Sequence, residues 1–527
     1  MLASFGVLNY TVLGIYFAAM ILVGLAYSKR QHTTDDYFLA GRKMPWLVVG
    51  MSMFASLTSA ISYLGAPAVA YKENISMAFS PLIGFVVAPV YILIFYPFYR
   101  LLRVTTSYEY IQHRYGNVAR YCISTLFILA RMGWLATVIF APAMVLSVVT
   151  KMDMALCIVM MGILATVYTV LGGLAAVLWT DLVQFVVLVI GAIWVAVSLI
   201  YAVPEGFTGI TEIASQGDKL VMLNFSEVSF VKITALTVMI SYFFQFMNDY
   251  GTDQVTVQRL MSVPDYKSMA KSAVFNVFSD LFIMSLLAFI GIALYAFYQL
   301  NPDQLDKSIV AVTNSEGLEE IKHDRILPLY ILTQLPQGVS GLVITAIFAA
   351  AMSSMDSGIN SLATVIINDF VRPLSKKEKT DGSPVDYVRM ARLLTFALGT
   401  FATMMAFVVS SMESILKSSA FFLGLFGGPI LSLFLLGMLS RRMRFEGWLI
   451  GAVVAIPTTF CLARFTNVHF INYFPICFGI CAILGYLCSF VFWARKGLAD
   501  VELTIWGGGF RSVIREAFRG QKNGQDK

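Results

Sequence analysis

The sequence is short of charge. Lys, Arg, Asp and Glu make up 13% of its 527 residues, whereas hydrophobic residues make up 58%. A soluble globular chain is about 25% charged and ~45–50% apolar, so this chain cannot wet a globular surface. The deficit excludes a soluble enzyme, a nucleic-acid binder and a disordered chain. Histidine is scarce too. His32, His113, His323 and His469 fall in loops or at the ends of apolar runs, and no His–carboxylate grouping supports membrane-embedded hydrolysis. Six cysteines (Cys122, Cys157, Cys461, Cys477, Cys481, Cys488) lie in apolar stretches without ligand-like spacing and read as packing residues.

What the chain has is long apolar runs. A helix that crosses a bilayer needs about 20 mostly apolar residues. Thirteen runs qualify, at 8–28, 45–70, 79–100, 119–149, 153–172, 175–203, 232–250, 273–299, 326–366, 388–411, 415–439, 446–465 and 470–494. The sequence therefore predicts an all-α polytopic membrane protein with about 13 transmembrane helices. The run at 326–366 reads as one tilted helix with a bent extension. The first run passes into Lys29-Arg30 and is retained rather than cleaved.

The net charge of +6 is a topology signal. Alternate loops collect Lys29, Arg30, Arg42, Lys43; Arg100, Arg103, Arg114, Arg120; Arg259, Lys267, Lys271; Arg372, Lys376, Lys377, Lys379, Arg389, Arg392; and Arg441, Arg442, Arg444. The segment 302–325 on the other side carries Asp303, Asp306, Glu316, Glu319, Glu320 and Asp324. The positive-inside rule then places the N-terminus outside and the C-terminus in the cytoplasm of a plasma (inner) membrane. A tail after Arg495 includes an amphipathic piece, 501–518, expected on the inner surface. No catalytic or sensor domain is expected.

Two spans are interrupted: the second through Gly65-Ala66-Pro67, and the seventh by Gln245, Asn248, Asp249, Gly251, Thr252 and Asp253. Paired interruptions point to the solute and ion sites of inverted-repeat transporters. Ionisable groups at membrane depth cost at least ~2.5–3.5 kcal/mol, so Arg131, Asp181, Asp249, Asp253, Asp280 and Asp356 each need a reason. Asp280 reads as structural. Ser353, Asp356 and Ser357 share one helix face, with Ser354 turned about 100° away. Hydroxyls beside a carboxylate suit a hard cation. Asp181 is either an interfacial cap or part of a cation cage. Arg131 either meets a solute carboxylate or pairs with an aspartate such as Asp249.

These stretches resemble a family. Asp35-Asp-Tyr-Phe-Leu-Ala-Gly-Arg42, Thr106-Ser-Tyr-Glu-Tyr110, Gly172-Gly…Trp179-Thr-Asp181-Leu-Val-Gln184, Asp253-Gln…Gln258-Arg259 and Ala349-Ala-Ala-Met-Ser-Ser354 resemble the sodium:solute symporters over roughly residues 8–465. The resemblance implies a LeuT-type 5+5 inverted repeat. The division would be an extra N-terminal helix and loop (1–44), repeats at 45–231 and 232–439, two further helices (440–495) and a cytoplasmic tail (496–527). It implies a Na⁺ site from the carbonyls of Ala55, Thr58 and Ala350 and the hydroxyls of Ser353 and Ser354. A second cation site would use Asp181, Ser353, Asp356 and Ser357, with Asp356 standing where sialic-acid transporters have a serine.

For the solute, Gly424-Leu-Phe-Gly-Gly-Pro429 and Ala141-Pro-Ala143 resemble the sialic-acid and monocarboxylate branches. Ser59 and Ser62 match carboxylate-holding hydroxyls, and Trp134 stands at the family arginine, one turn after Arg131. Gln245, Asn248 and Asp249 complete the expected solute set. The expectation is a non-enzymatic Na⁺-coupled symporter of an organic anion. Its partners would be Na⁺, a small-molecule solute and the lipid bilayer, with no nucleic acid and no protein partner implied. A neutral sugar, polyol or amino acid is the alternative solute, since Thr252-Asp-Gln-Val-Thr-Val-Gln-Arg259 resembles the sugar carriers. A non-transporting sensor is the remaining alternative.

Overall fold

A computed structural model of the chain describes residues 6–28, 34–221, 234–313, 319–374, 386–410, 415–496 and 503–519. Lys29, Arg30, His32, Glu316, Lys376, Lys377 and Lys379 lie outside the described residues. The main helices are α1 (Val7–Ser28), α2 (Trp46–Leu57), α3 (Ala60–Lys72), α4 (Ser80–Leu102), α5 (Asn117–Thr150), α6 (Met154–Ala202), α7 (Ala235–Gly251), α8 (Gln254–Leu260) and α9 (Tyr266–Leu300). After them come α10 (Ile326–Gln334), α11 (Val339–Val371), α12 (Tyr387–Val409), α13 (Ile415–Leu439), α14 (Phe445–Phe465), α15 (Tyr473–Lys496) and α16 (Gly508–Arg519).

Among the described residues ten helices are long and apolar enough to cross a membrane, or eleven when the bent pair α2–α3 counts as one span. The other two expected spans are shorter: the Met154–Leu164 arm of α6 and the 17-residue α7. The arms of α6 meet at Gly173, whose backbone (φ 57, ψ 174) is open to glycine and costly for other residues. Among the described residues the only sheet is a two-stranded antiparallel ribbon, Ala311–Thr313 against Glu319–Ile321, in the acidic loop.

Two expectations about the elements need correction. The run at 326–366 is two helices, α10 and α11, because Pro336 cannot extend α10 and Gly338 turns the chain at φ 88. The second span does not break at Gly65-Ala66-Pro67. It breaks at Thr58–Ser59, with a bend of 58°, and Pro67 sits within α3. Ser59 makes the earlier break possible, since its hydroxyl accepts from the Ile61 amide at 3.2 Å and caps α3. The tail packs on the helical body: Phe510 of α16 stacks on Phe98 at 5.0 Å, and the Tyr110 hydroxyl donates to the Leu503 carbonyl at 2.9 Å.

The core column is α11, whose apolar window is 94% buried. Polar groups on it therefore face protein, not lipid. The seventh span breaks where expected: α7 ends at Gly251, and Asp253 caps α8 by accepting from the Val255 amide at 2.8 Å.

Candidate ion and solute sites

Ending α2 at Leu57 frees carbonyls of its last turn, and α11 presents hydroxyls to them. Ser353 Oγ donates to the carbonyl of Ala55 at 2.7 Å and lies 3.0 Å from that of Ala350; Ser354 Oγ donates to the carbonyl of Ser56 at 3.0 Å. Thr58 caps the helix beside them, and all these residues are buried. Ala55, Thr58, Ala350, Ser353 and Ser354 thus converge on one junction. The donor set is carbonyl and hydroxyl oxygen, which suits a hard monovalent cation. Among the described residues no group of three His, Cys, Asp or Glu could hold a metal ion.

Around Asp181 the structure adds residues that sequence reasoning did not place in a site. Ser52 donates to Asp181 Oδ2 at 2.5 Å, and Ser56 lies 3.3 Å from the same oxygen. Arg259 forms a buried ion pair with it at 3.1 Å, bonds Ser52 Oγ at 2.8 Å and contacts the Ser357 hydroxyl. Ser357 Oγ in turn lies 2.9 Å from Ser56 Oγ, and its amide donates to Asp356 Oδ1 at 2.7 Å. Asp181 is therefore neither a simple interfacial cap nor paired with a cation from solution alone; its resident countercharge is Arg259. Asp181 Oδ1 and Gln184 Oε1 are buried without hydrogen-bond partners among the described residues, while Gln184 Nε2 donates to Tyr16 of α1 at 3.2 Å. Arg259 was legible only as a topology charge. The signal that could have placed it was Ser52–Ser56 at i, i+4, a hydroxyl face one turn before the break.

Beside the same break lies a cavity of about 160 Å³ (space open to the centre of a water molecule). Six of the seven expected solute residues line it: Ser59, Ser62, Arg131, Trp134, Gln245 and Asp249. Asn248 does not; it donates to Asp249 Oδ1 at 3.3 Å and accepts from Thr252 Oγ1 at 2.9 Å. Asp280, expected as structural, lines the cavity as well. Arg131 is ion-paired with Asp253, not with Asp249. The reason is local: Asp253 uses one oxygen to cap α8 and has the other free for the guanidinium. Arg131 also lies 4.4 Å from the Trp134 ring centroid and 5.7 Å from that of Phe127. Around this pair, among Tyr108, Phe127, Asn248 and Thr252, only about 10 Å³ is open, about the minimum for one water.

Two interrupted helices, with hydroxyls at one break and a polar cavity alongside, define an ion-coupled membrane carrier of the inverted-repeat type. The model of the Sodium:solute symporter family matches residues 37–455, and the chain belongs to that family. The sodium/sialic acid symporter NanT of Aliivibrio fischeri is 31% identical over 491 residues, covering 93% of this chain and 94% of NanT. The sodium-coupled monocarboxylate transporter 2 of Homo sapiens is 28% identical, covering 87% of this chain and 73% of that protein. A solved Na⁺-coupled sialic acid symporter, substrate-bound and outward-open, has TM-score 0.84 at 30% identity and covers 94% of this chain and 100% of that one. A nucleobase-cation-symport-1 family transporter shares the fold at TM-score 0.54 and 13% identity, covering 88% and 96%. The fold is LeuT-type.

Proposed function

We propose that the chain couples inward Na⁺ movement to import of a small carboxylate-bearing solute by alternating access. The observation that carries this reading is that one break, Thr58–Ser59, serves both sites: its α2 side meets Ser353 and Ser354, and its α3 side lines the cavity. Na⁺ would be held by the carbonyls of Ala55, Thr58 and Ala350 and the hydroxyls of Ser353 and Ser354. The carbonyls of Ala55 and Ala350 now lie beside the Ser353 hydroxyl, so an ion there replaces hydrogen bonds and ties α2 to α11. A second cation would sit among Asp181, Ser353, Asp356 and Ser357. The solute carboxylate would meet Ser59 and Ser62 at the amino end of α3, where the helix dipole favours an anion.

Na⁺ entry supplies about 2.3 kcal/mol per charge per 100 mV, beyond its concentration gradient. Coupling requires that ion and solute both prefer one conformation. The shared break provides that link, because an ion that orders α2 also orders Ser59. The sialic acid and monocarboxylate relatives support an acidic solute. We place the N-terminus outside and the C-terminus in the cytoplasm from the Lys/Arg distribution. We also propose repeats at 45–231 and 232–439, preceded by residues 1–44 and followed by 440–495 and the 496–527 tail. Purified protein in proteoliposomes should accumulate radiolabelled acids from a sialic acid and monocarboxylate panel when Na⁺ is outside, and not with K⁺ in its place. Equal uptake in the two salts would overturn the proposal.

A further inference from the structure

The cavity lining holds more carboxylic side chains than basic ones. Among the described residues Arg131 is the only basic one lining it, and it is ion-paired with Asp253. Two further carboxylates line the same space from different helices, Asp249 on α7 and Asp280 on α9. Asp249 has an amide donor in Asn248, at 3.3 Å, and Gln245 and Arg131 within electrostatic reach, but forms no ion pair among the described residues. Asp280 has neither a hydrogen bond nor an ion pair among them. Its helix explains where it points: Asn276, Ile283 and Leu287 on its face are buried, whereas Phe278 and Phe282 to either side are more than half exposed. Asp280 thus belongs to the inward stripe and not to the lipid face. Both carboxylates lie within electrostatic reach of the Tyr242 and Tyr250 hydroxyls. The Tyr91 hydroxyl, fully buried and without a hydrogen-bond partner among the described residues, lies within electrostatic reach of Asp280.

We infer that Asp249 and Asp280 form a subsite for a positively charged nitrogen, so that the solute is an amino acid-like zwitterion: carboxylate toward Ser59 and Ser62, ammonium toward the two aspartates. This deepens the proposed function and rests on its assignment of the cavity as the solute site. A simple anion placed here would face two carboxylates with no free cation to offset them, and like charges at short range in a poorly hydrated space repel strongly. An ammonium group removes that repulsion, and Tyr242, Phe246 and Tyr250 line the cavity, aromatic residues of the kind that attract a cation.

The test is a thermal-shift panel on the purified full chain in NaCl and in KCl. It comprises straight-chain monocarboxylates from acetate to hexanoate, their α- and ω-amino derivatives, the N-acetylated forms of those amino acids, and the matching alkylamines. Amino acids should stabilise the protein in NaCl at concentrations at least ten-fold lower than the parent or N-acetylated acids. Asp249→Asn and Asp280→Asn should each shrink that preference several-fold while keeping the stabilisation by Na⁺ alone. Parent or N-acetylated acids binding as well as the amino acids would overturn the inference and leave the carboxylate reading standing. Alkylamines alone binding would keep the cationic subsite and overturn the carboxylate reading. Loss of the Na⁺ effect in either variant would assign the pair to an ion and overturn the inference. No Na⁺-dependent stabilisation by any compound would overturn both readings.

Discussion

Ser353 carries more of the account than any other side chain, because its hydroxyl lies within hydrogen-bond reach of carbonyls on both sides of the α2–α11 junction. Replacing Ser353 and Ser354 together by alanine should raise the half-saturating Na⁺ concentration for uptake at least ten-fold, or about 1.4 kcal/mol; unchanged half-saturation would remove this junction from ion binding. Asp181 poses a different question, since Arg259 already neutralises it. With Asp356 beside Ser357, the group brings a second carboxylate to the proposed second cation site. Asp181→Asn and Asp356→Asn should therefore each lower the charge moved per solute in proteoliposome current measurements. Wild-type ratios in both would make the aspartates structural. Asp181 and Asp356 stood out in the sequence because buried charge must have a cause, and Ser353, Ser354 and Ser357 through the face they share and the family resemblance; Ser52 and Ser56 did not. Nor did Arg259, since an arginine near a span end looks like a topology signal until the fold buries it to 1% exposure.

At the level of elements, the breaks decide what the cavity can do. The seventh was legible because polar residues interrupt an apolar run. The second was misplaced because Gly65 and Pro67 are conspicuous, whereas Leu57-Thr-Ser-Ala60 contains no helix breaker; the true break depends on Ser59 capping and on α11 taking the freed carbonyls. Arg131–Asp253 joins α5 to the start of α8 next to the cavity. Removing one member of a buried pair costs ~3–5 kcal/mol because its partner is left charged and unpaired. Arg131→Gln should lower the melting temperature clearly, and adding Asp253→Asn should restore part of the loss; a double variant no more stable than the single would contradict the pairing.

The loop before α15 makes a pH prediction. Burial pushes the His469 pKa down to about 4, with Lys72 and Lys417 adding to the effect. A free histidine titrates near 6.5, so the unfolded chain takes up this proton before the folded one. The neutral His469 contribution is intact above about pH 6.5 and is lost as the pH falls toward 4. Melting temperatures measured from pH 7 to 4.5 should fall more steeply for the wild type than for His469→Gln. Parallel curves would show that His469 does not carry that dependence.

The whole molecule is a coupling device only if ion and solute bind one conformation together. Its fold class was legible in composition and run length, because a charge-poor chain with apolar runs of membrane length has few other ways to bury its surface. The division of 326–366 into two helices and the docking of the tail on Phe98 were not, since both depend on contacts between distant segments. Linkage makes coupling reciprocal: if Na⁺ drives the solute, a solute gradient must drive Na⁺. The most direct measurement loads proteoliposomes with equal Na⁺ on both sides, clamps the membrane potential at zero and imposes an inward gradient of any solute that shows Na⁺-dependent uptake. The account predicts transient uphill accumulation of ²²Na⁺ that is abolished in the Ser353→Ala/Ser354→Ala variant. Solute entry with no net movement of ²²Na⁺ would contradict it.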